Sequence, residues 1–112
     1  MYIDEIQKEI YKLIDNLENN LISAEDKEKV AKIVDSLDKG TDKQKLRFKT
    51  LYHLLPNLPV CYTLDAYAKL EGCTVNAIKG SIARVRNRLI NRSTEDDINC
   101  IKEINKRVEE QK

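Results

Sequence analysis

With 112 residues, of which 41% are hydrophobic and 35% charged, the chain has material for one modest core and not for a second domain. No apolar run approaches the length of a membrane span, and Met1 to Asp4 does not begin a signal peptide. We therefore expect a cytoplasmic protein without membrane contact. The cysteines Cys61, Cys73 and Cys100 form no C-x-x-C motif and are odd in number, which indicates small, buried residues of a reduced protein.

The formal net charge of +1 conceals three segments of different sign. Residues 1–40 carry six basic and ten acidic side chains, a net charge of −4, and residues 93–112 carry four and six, a net charge of −2. Residues 41–92 carry ten basic and three acidic side chains, a net charge of +7. A basic centre between acidic arms is typical of a local nucleic-acid footprint, although a charge run can also simply solvate a surface.

The first predicted element is an amphipathic helix from Tyr2 to Leu21. Its apolar residues recur at spacings of three and four, at Ile3, Ile6, Ile10, Leu13 and Leu17. This stripe either packs in an intramolecular hairpin with the next helix or forms a dimer seam, because barely two heptads do not establish a coiled coil. Ser23 and Asp26 signal the start of that next helix, and Gly40 is predicted to end it. Its core face is Val30, Ile33, Val34 and Leu37.

A third helix is predicted from a capping box at Thr41 and Gln44 to a stop at Pro56. Its apolar positions are Leu46, Phe48, Leu51, Tyr52 and Leu55. Its early polar face carries Lys43, Lys45, Arg47 and Lys49. These cations either touch phosphates beside a DNA-reading helix or are ordinary solvated side chains. Residues 57–62 are predicted to be a short extended link.

Residues 63–92 predict a short helix, a tight corner and a longer helix. Thr63 can cap the helix over 64–71, Gly72 supplies the positive φ of the corner, and Thr74 can cap the second helix. The apolar face of that second helix is Val75, Ile78, Ile82, Val85 and Leu89. These positions must pack on the rest of the domain, so the opposite face is predicted to be free.

That opposite face holds Asn76, Gly80, Ala83, Arg84 and Asn87, with Lys79, Arg86 and Arg88 at its edges. Asn can pair bidentately with adenine and Arg with guanine, while Lys and Arg suit phosphates. We predict base contacts from Asn76, Lys79 and Arg84. We predict contacts to the DNA backbone from Lys69, Thr74, Arg86, Arg88 and Arg92. Gly80 either lets the helix approach a groove closely or is simply a tolerated glycine.

Residues 63–92 resemble region 4 of bacterial sigma factors and the related output domains of response regulators. Those families read roughly Ile-Ala-x-x-Leu-Gly-x-Ser-x-x-Thr-Val-Lys-Ser-Arg-Leu-x-Arg-Ala-Arg-x-Arg-Leu. The residues in register are Ala68, Gly72, Thr74, Ile78, Lys79, Ile82, Arg84, Arg86, Arg88 and Leu89. Glu71 stands where the families prefer Leu, so the first helix is expected to pack differently. Ser81 stands where Arg is common, which removes one expected DNA contact. The resemblance implies a helix-turn-helix that binds double-stranded DNA, with RNA polymerase as a further partner.

The last predicted helix starts at Ser93 to Asp96 and carries a stripe of Ile98, Ile101, Ile104 and Val108. This stripe either packs on the N-terminal hairpin or pairs with its copy in a second subunit.

Catalytic chemistry has little support in the sequence. The single histidine, His53, lies in the third predicted helix and is expected to be a packing or surface residue rather than a base or metal ligand. The glycines are isolated, so no phosphate-binding loop is formed, and the carboxylates are interleaved with lysines as in surface pairs. We expect no enzymatic activity, no cofactor and no metal.

The predicted fold is one all-α domain of five helices over residues 1–112. It comprises a helical hairpin over 1–40, a basic helix-turn-helix core over 41–92 and an amphipathic helix over 93–112.

The predicted function is sequence-specific DNA binding by a transcriptional regulator, with the helix over 75–91 in the major groove. A homodimer on adjacent half-sites would raise affinity. Its seam would run through Ile3, Ile6, Ile10, Leu13 and Leu17 or through Ile98, Ile101, Ile104 and Val108. The alternatives are a sigma-like module that binds RNA polymerase or another protein, and a phage or mobile-element adaptor that binds DNA without sequence preference.

Overall fold

A computed structural model describes residues 3–38, 40–56 and 63–111, and over these ranges the chain is helical without a strand. Its helices are α1 (Ile3–Glu18), α2 (Ala24–Ser36), α3 (Asp42–Leu51), α4 (Leu64–Glu71), α5 (Val75–Arg92) and α6 (Glu95–Glu110). The all-α prediction is confirmed. The prediction of five helices is wrong, because the described ranges hold six. The predicted link over 57–62 lies outside the described residues. No helix in the described ranges is long and apolar enough to cross a bilayer.

Helix starts follow the capping rules. The side chains of the capping residues each accept a hydrogen bond from the backbone N–H three positions later, at 3.0 to 3.2 Å; these residues are Ser23, Thr41, Thr63, Thr74 and Thr94. Each such cap stabilises its helix by about 1 kcal/mol. Thr41 with Gln44 forms the predicted capping box, and Thr94 with Asp97 forms a second one.

Three helices end at a residue in the left-handed region: Asn20 (φ 54°) after α1, His53 (φ 55°) after α3 and Gly72 (φ 75°) after α4. In each case the following N–H donates to a carbonyl five residues back, at 3.0 Å. Only glycine adopts this conformation without steric cost, so only the third ending has a clear sequence signal. As a result α1 and α3 end before the predicted limits at Leu21 and Pro56. α2 likewise ends at Ser36, ahead of Gly40, because Leu37 is already extended and buried.

The apolar stripes of α1 and α6 pack against each other at the centre of the main core. Ile10, Leu13, Ile101 and Ile104 are completely buried there. The residues proposed for a dimer seam are therefore covered within one chain, apart from the first turn of α1, where Ile3 is exposed. The homodimer itself stays a prediction, and a seam through the buried part of these stripes would require this core to open. α2 packs on α3 and α6, so the expected α1–α2 hairpin is not among the main contacts.

Two polar contacts fix how α6 lies on its neighbours. The buried amides of Asn16 and Asn105 meet at 3.1 Å, and Asn105 also donates to the Glu9 carbonyl oxygen. Arg107 donates to both carboxylate oxygens of Asp26, at 2.8 and 2.9 Å. This hydrogen bonding lowers the pKa of Asp26. A shift of α6 along α1 would leave buried polar groups without partners, so these contacts select one register.

α5 is the central helix, since it contacts α1, α3 and α4. Ile78, Val85 and Leu89 are buried beneath it, as predicted. Tyr67 and Ala68 of α4 pack with Ile78 in a second, smaller cluster that attaches α4 to α5. Cys73 and Cys100 are free thiols, but they are partly exposed and not buried as expected. Cys61 lies outside the described residues.

Candidate nucleic-acid interface

α4 and α5 are joined by a turn of three residues, Gly72 to Thr74. The Ala68 carbonyl oxygen accepts from the N–H groups of both Gly72 and Cys73, at 2.9 and 3.0 Å, which closes the end of α4. Ala68 is buried, so its small side chain allows close packing at the corner. Thr74 then caps α5 through its side chain. The start of α5 is thus held by backbone and capping contacts on both sides of the turn.

The side of α5 that faces away from the core is exposed. Its exposed side chains, called here the outer face, are Asn76, Lys79, Arg84, Asn87, Asn91 and Arg92. The three residues predicted to contact bases, Asn76, Lys79 and Arg84, all lie on this face. They span about 12 Å along the axis at 1.5 Å per residue. None of the three side chains makes a hydrogen bond or ion pair with another described residue.

The predicted contacts to the DNA backbone are held more firmly by the protein itself. Arg88 donates to the Gln44 side-chain oxygen at 2.8 Å, and Arg92 lies 3.8 Å from the Asp38 carboxylate. The guanidinium of Arg86 lies over the Tyr11 ring, 5.4 Å from its centre. The Thr74 side chain accepts the cap from the Ala77 N–H at 3.1 Å, and Lys69 is exposed on α4. Arg86 and Arg88 are therefore held by neighbouring helices, whereas Asn76, Lys79 and Arg84 have no side-chain partner among the described residues.

An open cleft of about 460 Å³ follows the second half of α5. It is lined by Arg84, Asn87, Arg88, Asn91 and Arg92. Guanidinium groups bind phosphate oxygens through paired hydrogen bonds, and amides can add further donors. The cleft is therefore suited to a phosphate chain that runs beside α5.

Arg47 was predicted to be solvated or to bind phosphate, but it points into the fold. Its guanidinium donates to Glu71 Oε1 through Nε at 2.8 Å and Nη2 at 2.6 Å. Its Nη1 donates to Ser81 Oγ at 2.9 Å. The side chain is only 11% exposed, and hydrogen bonding to it lowers the pKa of Glu71. Arg47 thus joins α3 to α4 and α5 and is not available to DNA.

Glu71 and Ser81 are the two positions at which the sequence departs from the resembled pattern. Glu71 supplies the carboxylate for Arg47, and Ser81 is buried under the guanidinium at 1% exposure. An arginine at position 81 would occupy the space that Arg47 fills. Ser81 was expected to remove one DNA contact. In the fold this position instead links α5 to α3, because its hydroxyl accepts a hydrogen bond from Arg47.

The other cations of α3 are mostly engaged as well. Lys45 donates to the Leu37 carbonyl oxygen at 2.7 Å, just beyond the end of α2, and Lys49 pairs with Asp35 at 2.7 Å. Lys43 remains largely exposed, 3.8 Å from Glu71. Of these three lysines, only Lys43 is thus readily available to an external phosphate.

Comparisons with protein-family models, with curated proteins and with solved structures find no match for this chain.

In the described ranges, no group of three or more His, Cys, Asp and Glu residues is arranged to hold a metal ion. The outer face of α5 is basic and rich in amides, and four of its side chains, together with Arg88, line the open cleft.

Proposed function

We propose that the protein binds double-stranded DNA through a helix-turn-helix formed by α4 and α5, and that it regulates transcription. The observation that carries this proposal is the outer face of α5, where Asn76, Lys79 and Arg84 have no partner among the described residues. A helix with side chains is about 10–12 Å wide, which matches a major groove of about 12 Å. A DNA-binding role implies a cytoplasmic location, which stays a prediction.

The contacts divide into two classes according to how each side chain is held. Asn76, Lys79 and Arg84 are free to reach base edges, with Arg84 suited to guanine and Asn76 to adenine. Arg88 is held by the Gln44 side chain, so it can present donors to a phosphate at a fixed position, and Arg92 lies near Asp38 at the exposed end of the helix. Under this proposal sequence preference comes from the first group, and register on the duplex comes from the second.

The test is selection of bound sequences from a random duplex pool, followed by salt titration on the selected site and on random duplex. Arg84→Ala should cost about 1 to 3 kcal/mol on the selected site and relax its sequence preference. Arg88→Ala should weaken all sequences alike and reduce the salt slope by about one unit. Lys106→Ala, which removes an exposed cation of α6, is the matched control and should change neither.

The proposal would be refuted if the triple variant Lys79→Ala, Arg84→Ala and Arg86→Ala stayed folded and bound DNA as well as the parent. Equal affinity for selected and random duplex would instead indicate a phage or mobile-element adaptor without sequence preference. If two copies bind adjacent half-sites, the dimer forms either through another surface or by opening the stripes of α1 and α6, which are largely buried within one chain. Sedimentation with and without DNA measures this directly.

A second candidate function is binding to RNA polymerase or another transcription protein, as in the sigma-like alternative. It is favoured by Leu46 on α3 and Leu70 on α4, which are 45% and 60% exposed. A polymerase-binding module would show little DNA affinity at physiological salt, and it would lose polymerase binding in Leu46→Ser and Leu70→Ser.

A further inference from the structure

A cavity of about 750 Å³ that is open to solvent lies on the α1 side of α5, between the end of α1, α2, the end of α3, the start of α4 at Leu64 and the middle of α5. This volume falls within the range of roughly 300–1,000 Å³ that is typical of small-molecule sites. Its apolar wall includes Leu17 of α1, Leu51 of α3, and Ile82 and Ala83 of α5. The cavity can therefore receive an aliphatic or aromatic body.

The polar lining of this cavity is predominantly cationic. Lys27, Lys79 and Arg86 line it, whereas Glu18 is the single carboxylate among its described lining residues. Glu18 already accepts a hydrogen bond from the Tyr52 hydroxyl at 3.2 Å. Burial of that hydroxyl, reinforced by Glu18, raises the pKa of Tyr52, so it stays a neutral donor at physiological pH. The lining therefore presents more positive charge than the protein itself neutralises.

Arg86 has unused hydrogen-bonding capacity at this site. Arg86 lines the cavity, its guanidinium lies over the Tyr11 ring, and its terminal Nη groups donate no hydrogen bond to a described residue. The Nε is buried and likewise has no such partner, so the Nη groups are the donors that a ligand can reach. A guanidinium pairs best with a planar carboxylate or with phosphate oxygens. A ligand with such a group near Arg86 and Lys79 would complete the site.

We propose that this cavity binds a small organic anion with an apolar body, such as an aryl or alkyl carboxylate or phosphate ester, and that the ligand weakens DNA binding. The second part rests on the proposed function, because Lys79 and Arg86 are also predicted DNA contacts. A bound anion neutralises both cations and holds Lys79 at the cavity, so ligand and DNA compete for the same side chains.

The test uses the fluorescent probe anilinonaphthalene sulfonate, which combines an anionic group with an aromatic body, and its neutral analogue N-phenylnaphthylamine. We expect one saturable site for the anion, with binding to the neutral analogue weaker by about tenfold or more. Arg86→Met should lower affinity by a similar factor. Ala83→Trp should abolish binding by filling the cavity without removing a charge, and Lys106→Met is the control that should bind as the parent does. Cooperative thermal unfolding of each variant verifies that the probe reports on folded protein.

The site is refuted if the anion shows no saturable binding, or if folded Arg86→Met and Ala83→Trp bind it like the parent. Equal binding of the neutral analogue refutes the anion preference. Competition is tested separately, by titrating DNA with the probe at saturation. An unchanged DNA affinity overturns the competition while the site stands, and a parent protein that binds the probe but no DNA overturns the proposed function alone.

Discussion

Replacing Arg47 with Met is expected to destabilise the protein by about 2 kcal/mol. Removing one partner of a fully buried ion pair costs about 3–5 kcal/mol, because the other charge is left without compensation. Here the remaining carboxylate of Glu71 is 21% exposed and keeps Lys43 at 3.8 Å, which reduces the penalty. The loss remains substantial because Glu71 Oε2 is already unpaired and Ser81 would lose its bond from Nη1. For a chain of 112 residues the change corresponds to a fall in Tm of about 8 °C, measured by circular dichroism.

A double-mutant cycle separates this contact from a simple loss of packing. Glu71→Leu introduces the residue that the resembled families prefer, and Arg47→Met with Glu71→Leu removes both charges. Because two apolar replacements leave no uncompensated charge, the double variant should be more stable than the sum of the single effects by about 1 kcal/mol or more. Urea unfolding at equilibrium measures all four proteins. Additive effects would refute the proposed coupling of α3 to α4 through Arg47.

Three further outcomes are expected. Ile104→Ala should cost about 3 kcal/mol and broaden or abolish the thermal transition, because this side chain is completely buried; a folded monomer with unchanged Tm would restore the dimer-seam alternative. Asp26→Asn should be less stable than the parent at neutral pH. Since the pKa of Asp26 is lowered in the fold, that difference should fade as the pH falls below the ordinary value of 3.8, and urea midpoints across pH check this. Gly72→Ala should destabilise by about 1 kcal/mol at its positive φ, whereas Gly80→Ala should stabilise by up to about 1 kcal/mol. If the added methyl group of Gly80→Ala also weakens DNA binding, Gly80 serves groove approach and is not merely tolerated.

The sequence alone predicts those features of the fold that are set by residues close together in the chain, such as helix caps and the exposed side of a helix. Thr63 and Thr74 cap their helices as expected, because capping involves groups only three positions apart. The exposed position of Arg84 likewise follows from the helical period of α5. In contrast, the helix ends at Asn20 and His53 were missed, since local patterning does not favour the left-handed region at these residues as it does at glycine.

Contacts between distant residues were not predictable from such patterns. The stripe of α6 was correctly identified as apolar, but periodicity does not distinguish a partner within the chain from a partner in a second subunit. The inward position of Arg47 depends on Glu71 and Ser81, which are 24 and 34 residues away. A signal was present in the sequence: an acidic residue and a small one replace Leu and Arg on adjacent helices. Together they provide a partner and a space for one arginine from a third helix.

The packing of α1 on α6 also has a consequence for how the protein is made. Lys12 pairs with Glu109, and Glu5 with Lys102, across 97 positions of the chain. During synthesis α6 is translated after every other described helix. The apolar stripe of α1 therefore lacks its main native partner until α6 has been translated. Closing so long a loop is also slow compared with forming the local α4–α5 contacts. Ile10 and Leu13 of this stripe therefore lack their partner until late in synthesis, and a variant truncated within α6 would lack it permanently.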